Sequence, residues 1–284
     1  MEITLSSGNV TARIESFGAE LKSLCVDDRE LMWCADPAFW GKTSPILFPM
    51  IGTLKGGKTL INGKEYAIRR HGFVRDTELK PEKITPTTAV FSMEQNEETR
   101  EMYPFDFRFA VQYTLKSDGV TVTYTVTNNS AEKIPFCIGG HPAFAADGDF
   151  SEYSLVFRRN ETAEVPLYNT QTGVYEEANR TSIMNNTNIL PLKHELFYND
   201  VLYFENPASR SVELLKDNHG VRVDFPDFTG LGVWQAKDAP FLCIEPWCGC
   251  QDYDTDSGVF TEKRGIEMLG SGETKSYTYC ISRV

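Results

Sequence analysis

FRFAVQYTLKSDGVTVTYTVTN, residues 107–128, puts an apolar or aromatic side chain at every second position in each half. Phe107, Phe109, Val111, Tyr113 and Leu115 form one such row, and Val120, Val122, Tyr124 and Val126 form the other. A period of two belongs to an extended chain with one face buried and the other wet. Between the halves lies Lys116-Ser117-Asp118-Gly119, a run of turn formers. The stretch therefore predicts an antiparallel hairpin laid over a core.

Working outward, the same pattern recurs at TARIESFG (11–18), AELKSLCV (19–26), YSLVFRR (153–159), DVLYFEN (200–206) and SVELLKD (211–217). It continues at GVRVDFPD (220–227), LGVWQAK (231–237), FLCIEPW (241–247) and KSYTYCISRV (275–284). Gly, Asn, Asp and Pro punctuate the gaps, and helical periodicity is scarce. Many short strands at regular spacing predict an all-β, mainly antiparallel sandwich or barrel. With no fixed-period repeat, low-complexity tract or Pro/Gly/Ser-rich linker, one domain over 1–284 is the expectation.

Composition narrows the partners. The 28 basic and 40 acidic residues give a formal net charge of −12, which disfavours nucleic acid and anionic lipid surfaces. The opening MEITLSSGNVTARI has no basic n-region or apolar h-region, and no later run reaches the ~20 apolar residues of a membrane helix. A cytoplasmic location is expected. Seven cysteines, an odd number, fit a reducing compartment, with Cys25, Cys137, Cys243 and Cys280 set in apolar runs as small buried hydrophobes. Cys243, Cys248 and Cys250 are clustered, but no second pair or His-x-His partner lies nearby to complete a structural zinc site. No metal is expected.

Three segments carry candidate chemistry. In FCIGGHPAF (136–144), Gly139 and Gly140 clear space beside His141, and Pro142 discourages helix there. Alone it also reads as a strand end with a turn. In RRHGFVRD (69–76), His71 stands among Arg69, Arg70, Arg75 and Asp76; a charged turn closing the hairpin of INGKEYAIRR (61–70) explains the arginines but not Gly72 and Phe73. In FLCIEPWCG (241–249), Glu245 interrupts an apolar run. Such a carboxylate is either a buried group with a raised pKa, suited to a general base, or lies on the wet face of an edge strand that Pro246 ends. His194 and His219, the remaining histidines, lie in polar stretches that read as solvated loops.

SPILFPMIG (44–52), HGFVRD (71–76), GGHPAF (139–144), NDVLYFEN (199–206) and CIEPWCG (243–249), in this order over nearly the whole chain, resemble the aldose 1-epimerase (galactose mutarotase) family, above all its LacX-like branch. The resemblance implies a large antiparallel β-sandwich with a sugar cleft on one sheet, and cofactor-free interconversion of the α and β anomers of an aldose. Carried over by motif, His141 is similar to the family's general acid and Glu245 to its general base. His71 matches the histidine that binds the sugar near its ring oxygen, and Asp200 the aspartate that grips hydroxyls. Arg75 is a further substrate contact. Thr53 and Lys42 stand where relatives often carry arginines, which leaves the choice of sugar, and its phosphorylation, open.

Two other readings use the same residues. One is a sugar-binding protein without catalysis, with Trp247, Phe73 and Trp33 as stacking platforms. The other joins His71, His141 and Glu245 into a metal triad in a cupin-like barrel. Cupin ligands arrive as closely spaced histidines on one strand, which this chain lacks. The oligomeric state and the pathway are not readable from the sequence.

Overall fold

A computed structural model describes residues 1–284. The hairpin forms as Phe107–Leu115 and Gly119–Asn128, paired antiparallel from Phe107↔Asn128 to Leu115↔Val120. It sits inside a nine-stranded sheet with the order Val174–Pro191, Ser154–Asn169, Ser211–Lys216, His219–Asp224, Thr274–Arg283, Gly119–Asn128, Phe107–Leu115, Thr88–Glu94 and Lys80–Ile84. The apolar rows face inward: Phe109, Val111, Val122, Tyr124 and Val126 are fully buried. The alternate threonines face outward and bond across to the last strand, Thr123 to Thr278 at 3.1 Å and Thr125 to Ser276 at 3.0 Å. Such cross-strand pairs stabilise the register that the alternation sets.

Two smaller sheets cover the inner face. One has four strands, Glu2–Ser7, Val10–Glu15, Leu21–Val26 and Arg29–Glu30. The other runs Leu202–Glu205, Gly230–Trp234, Phe241–Cys248, Ile138–Gly140 and Ile46–Leu47, with Ala143–Ala145 also paired to Phe241–Cys248. The Tyr124 and Tyr279 hydroxyls, 3.2 Å apart, reach from the large sheet to Gly140, where a Cβ would lie 3.0 Å from each. One core of 66 buried side chains draws on all three sheets. The expected antiparallel sandwich is the fold observed; its one α-helix is the six-residue Glu97–Met102, capped by Asn96. No helix is long and apolar enough to cross a membrane.

Several details depart from the sequence reading. Val174–Pro191, an 18-residue strand, pairs with Ser154–Asn169 through repeated register shifts, and its tip folds back. There Tyr175 N–H donates to the Asp252 carbonyl at 3.0 Å, and Asp254 N–H donates to the Tyr175 carbonyl at 2.8 Å. Cys25 and Cys280 are only half-buried and Cys34 is exposed; all seven thiols are free. His194 is packed rather than solvated, stacked on Phe150 at 4.6 Å and bonded through Nδ1 to Gln235 Oε1 at 2.7 Å.

The INGKEYAIRR segment forms its hairpin, Thr59–Ile61 with Lys64–Tyr66, around left-handed Asn62 and Gly63. His71 and Gly72 are also left-handed, with φ of 65° and 75°. This conformation lays them against 48–52: Phe73 N–H donates to the Phe48 carbonyl at 3.0 Å and His71 N–H to the Gly52 carbonyl at 3.0 Å. A Cβ on Gly72 would overlap that Phe48 carbonyl. Gly72→Ala therefore adds a backbone clash to an unfavourable φ and is expected to cost about 2 kcal/mol or more in chemical denaturation. A loss too small to resolve would mean that this junction is not fixed.

Candidate active site

Glu245 lies in the middle of Phe241–Cys248, a strand paired on both sides. Gly230–Trp234 flanks it without a break, placing Gly232 opposite Glu245. On the other side the partner strand is split: Gly139 pairs with Trp247, Ala143 pairs with Cys243, and His141-Pro142 occupies the gap. Proline has no N–H to give to a ladder, so the split follows from the sequence. The Pro142 carbonyl accepts from Ile244 N–H at 3.1 Å, and His141 N–H is drawn aside to the Pro45 carbonyl at 3.1 Å. His141 Nε2 is thereby held 3.3 Å from Glu245 Oε2. Pro246 lies inside the strand rather than ending it, and Glu245 is 1% exposed, so the wet edge-strand reading is overturned.

The pair forms part of the wall of a cleft of about 260 Å³, which His71, Arg75 and Asp200 also line. All five residues singled out from sequence thus meet at one place. Gly52 N–H donates to His71 Nδ1 at 3.1 Å. Arg70 Nε–H also points at Nε2, at 3.3 Å, but a neutral imidazole has one acceptor nitrogen; with the shorter Gly52 bond made, the proton lies on Nε2 and the Arg70 N–H is turned aside. Arg70 lies 3.8 Å from Asp200 Oδ2 and lines the cleft as well.

Other cleft residues escaped the sequence reading. Trp40 stacks on His141 at 4.9 Å and Trp234 meets it edge-on at 5.6 Å. Trp247 is floored by two glycines: a Cβ on Gly139 or Gly232 would come within 2.7 or 2.6 Å of its indole. Gln251 is the third addition. Of the earlier platform candidates only Trp247 is present. Trp33 packs on Phe241 at 4.8 Å, with its N–H given to the Trp40 carbonyl, and Phe73 is in the core against Phe48. Lys42 pairs with Asp76 at 3.7 Å and Arg69 with Glu98 at 2.6 Å, both outside the cleft, and Thr53 does not line it.

Burial governs the charges. It pushes the His141 imidazole down to about 3, helped by the nearby Arg75 cation, and His71 well below its usual range, helped by His141. Glu245 is pushed well above the carboxylate range, by burial first and then by the neighbouring Asp200 charge, with Arg70 opposing. Asp200 is raised by burial, again against Arg70. Burial thus biases both members of the His141–Glu245 pair toward their neutral forms, imidazole and carboxylic acid. Around them, buried polar atoms lack partners: His141 Nδ1, Glu245 Oε2, Arg75 Nε, Trp247 Nε1 and Gln251 Nε2, five of the nine such atoms in the protein. Folded proteins leave few of these, so their concentration in one cleft marks a place for a polyhydroxylated guest.

Comparison with known proteins gives the family. The profile of the aldose 1-epimerase family matches residues 1–281. The plasmid LacX protein of Lactococcus lactis subsp. lactis is 32% identical, with 99% of each chain covered. A galactose mutarotase-like protein from Lactobacillus casei superposes with a TM-score of 0.93 at 29% identity, covering all of both chains. A galactose mutarotase related enzyme from Lactobacillus acidophilus gives 0.91 at 28%, covering 100% of this chain and 97% of that one. The match runs over the full length, and the chain belongs to the aldose 1-epimerase family, enzymes that interconvert the α and β anomers of aldoses.

Proposed function

We propose that His141 and Glu245 carry the protons of anomer exchange in this chain, while His71, Asp200 and Arg75 hold the sugar. The observation that carries the reading is the 3.3 Å imidazole–carboxyl pair set among unpartnered buried polar atoms in one cleft. Ring opening needs a proton taken from the anomeric hydroxyl and one given to the ring oxygen. The resting pair already holds the one proton required, on the carboxyl. A bound sugar offers O–H donors to Glu245 Oε2, and Arg70 also favours the carboxylate, so binding moves the proton to His141. Glu245 then accepts from the anomeric hydroxyl as imidazolium His141 donates to the ring oxygen. After rotation about C1–C2, the two groups in exchanged states close the ring on the other face.

Recognition follows the same geometry. His71, its proton fixed on Nε2 by the Gly52 bond, acts as a neutral donor to a sugar oxygen. Asp200 takes hydroxyl protons, and the Trp40, Trp234 and Trp247 indoles supply apolar faces for the pyranose. Arg70 is set against Asp200 and Arg75 against Asp76, at 3.8 and 3.7 Å, and the His141–Glu245 pair is neutral as a whole, so cleft charge is near balance and a neutral aldose is the substrate class. The sugar is the one partner in this reading, without nucleic acid, membrane or cofactor. The protein acts as one domain in the cytoplasm, in keeping with its seven free thiols and its shared core.

Glu245→Gln and His141→Asn should each keep the native near-ultraviolet circular dichroism yet lose roughly 10²–10⁴-fold in exchange rate, read by polarimetry or NMR saturation transfer. Near-normal rates in either variant would remove that residue from the mechanism. His71 should keep the 15N shift pattern of a neutral Nε2–H imidazole as pH falls through 6.5, since burial lowers its pKa well below that value. An imidazolium pattern at pH 6 would contradict the donor role.

A further inference from the structure

Phe241–Cys248 turns Cys243, Glu245 and Trp247 to one face, because alternate residues of a strand share a side. Beneath the proton pair this puts a third donor, the Cys243 thiol. No two of the His141 nitrogen, Glu245 oxygen and Cys243 sulfur donor atoms are more than 4.8 Å apart, and all three residues are buried. A thiolate, an imidazole and a carboxylate are the ligand types that Zn²⁺ selects. With bonds of about 2.1 Å to nitrogen and oxygen and about 2.3 Å to sulfur, a tetrahedral cation holds its light donors about 3.4 Å apart and sulfur about 3.6 Å from each. His141 Nε2 and Glu245 Oε2 already stand at 3.3 Å, so only the sulfur has to close in, from at most 4.8 Å to about 3.6 Å. Glu245, 1% exposed, would exchange its contact with His141 Nε2 for the shared cation.

The geometry points to an inhibitory site for a thiophilic divalent cation, of which Zn²⁺ is the type, on His141, Cys243 and Glu245. Charge and proton balance are simple. The pair releases its one shared proton and Cys243 releases another, leaving two anionic ligands and a neutral imidazole around a dication, so the buried complex has no net charge. The cleft side leaves a fourth position for water or a sugar hydroxyl. The inhibitory effect rests on the proton-carrier roles proposed above, since the cation occupies both carriers; the binding itself does not depend on those roles.

Cys243 has no part in anomer exchange, so Cys243→Ala separates the two. In a Cys34→Ser background, which removes the exposed thiol, added Zn²⁺ should abolish exchange at about one equivalent when the protein is at micromolar concentration. Adding Cys243→Ala should leave exchange close to the parent's without metal, and raise the half-inhibiting Zn²⁺ concentration at least about 10-fold. Co²⁺, the spectroscopic probe, should give a thiolate-to-metal band in the near ultraviolet in the parent and none in the Cys243→Ala variant. Equal Zn²⁺ inhibition with and without Cys243, or absence of the cobalt band in the parent, would overturn the site. Should the parent lack anomer exchange on every sugar, the reading of function fails, while the cobalt band still decides the metal site.

Discussion

A carboxyl group placed inside a buried strand is the constraint on which the rest of this structure turns. Glu245 is 1% exposed and paired through its backbone to Gly232, so its carboxyl group is held in the cleft wall with almost no contact with solvent. Burial alone disfavours its charge, and the chain answers with a polar neighbour in the ladder, the His141-Pro142 gap, rather than with a full salt bridge. The outcome is an imidazole and a carboxyl group 3.3 Å apart, both biased by burial toward their neutral forms. A well-compensated ion pair would instead hold both groups charged.

The aromatic surroundings follow from the same constraint. An imidazole whose Nδ1 makes no hydrogen bond needs another means of orientation, and Trp40 on its face and Trp234 at its edge supply it. Gly139 and Gly232 let Trp247 lie flat across two strands directly beside Glu245. Small residues on the neighbouring strands thus serve as seats for large ones, which is how a sheet surface becomes a cleft. The buried Lys263–Asp252 ion pair anchors the segment next to Gln251 in sequence.

Strands with one wet and one buried face were legible because alternation is a direct image of that burial, as in 107–115 and 119–128. Val174–Pro191 was not, since much of its length is exposed on both faces and its Glu, Asn and Arg residues have no reason to alternate. Of the five candidates that meet in the cleft, His71, His141 and Glu245 stood out because glycine, proline and an interrupted apolar run mark positions where backbone and charge are unusual, whereas Asp200 and Arg75 came only from the family resemblance. Trp40 and Gln251 stand in loops, where no period exists to set them apart, and Trp234 ends a strand whose other residues are apolar. Arg70 was visible as a charge, but only its place opposite Asp200 distinguishes it from Arg69, which turns away to Glu98.

The hairpin of 154–191 stands mostly in solvent, yet its tip is sewn by Tyr175 to the segment that carries Gln251. Its reach, rather than the chemistry of its exposed side chains, is what keeps that rim in place. Descendants of this chain are free to redecorate the arm extensively, whereas insertion or deletion of even a couplet of residues along it would shift the cleft's edge from a distance.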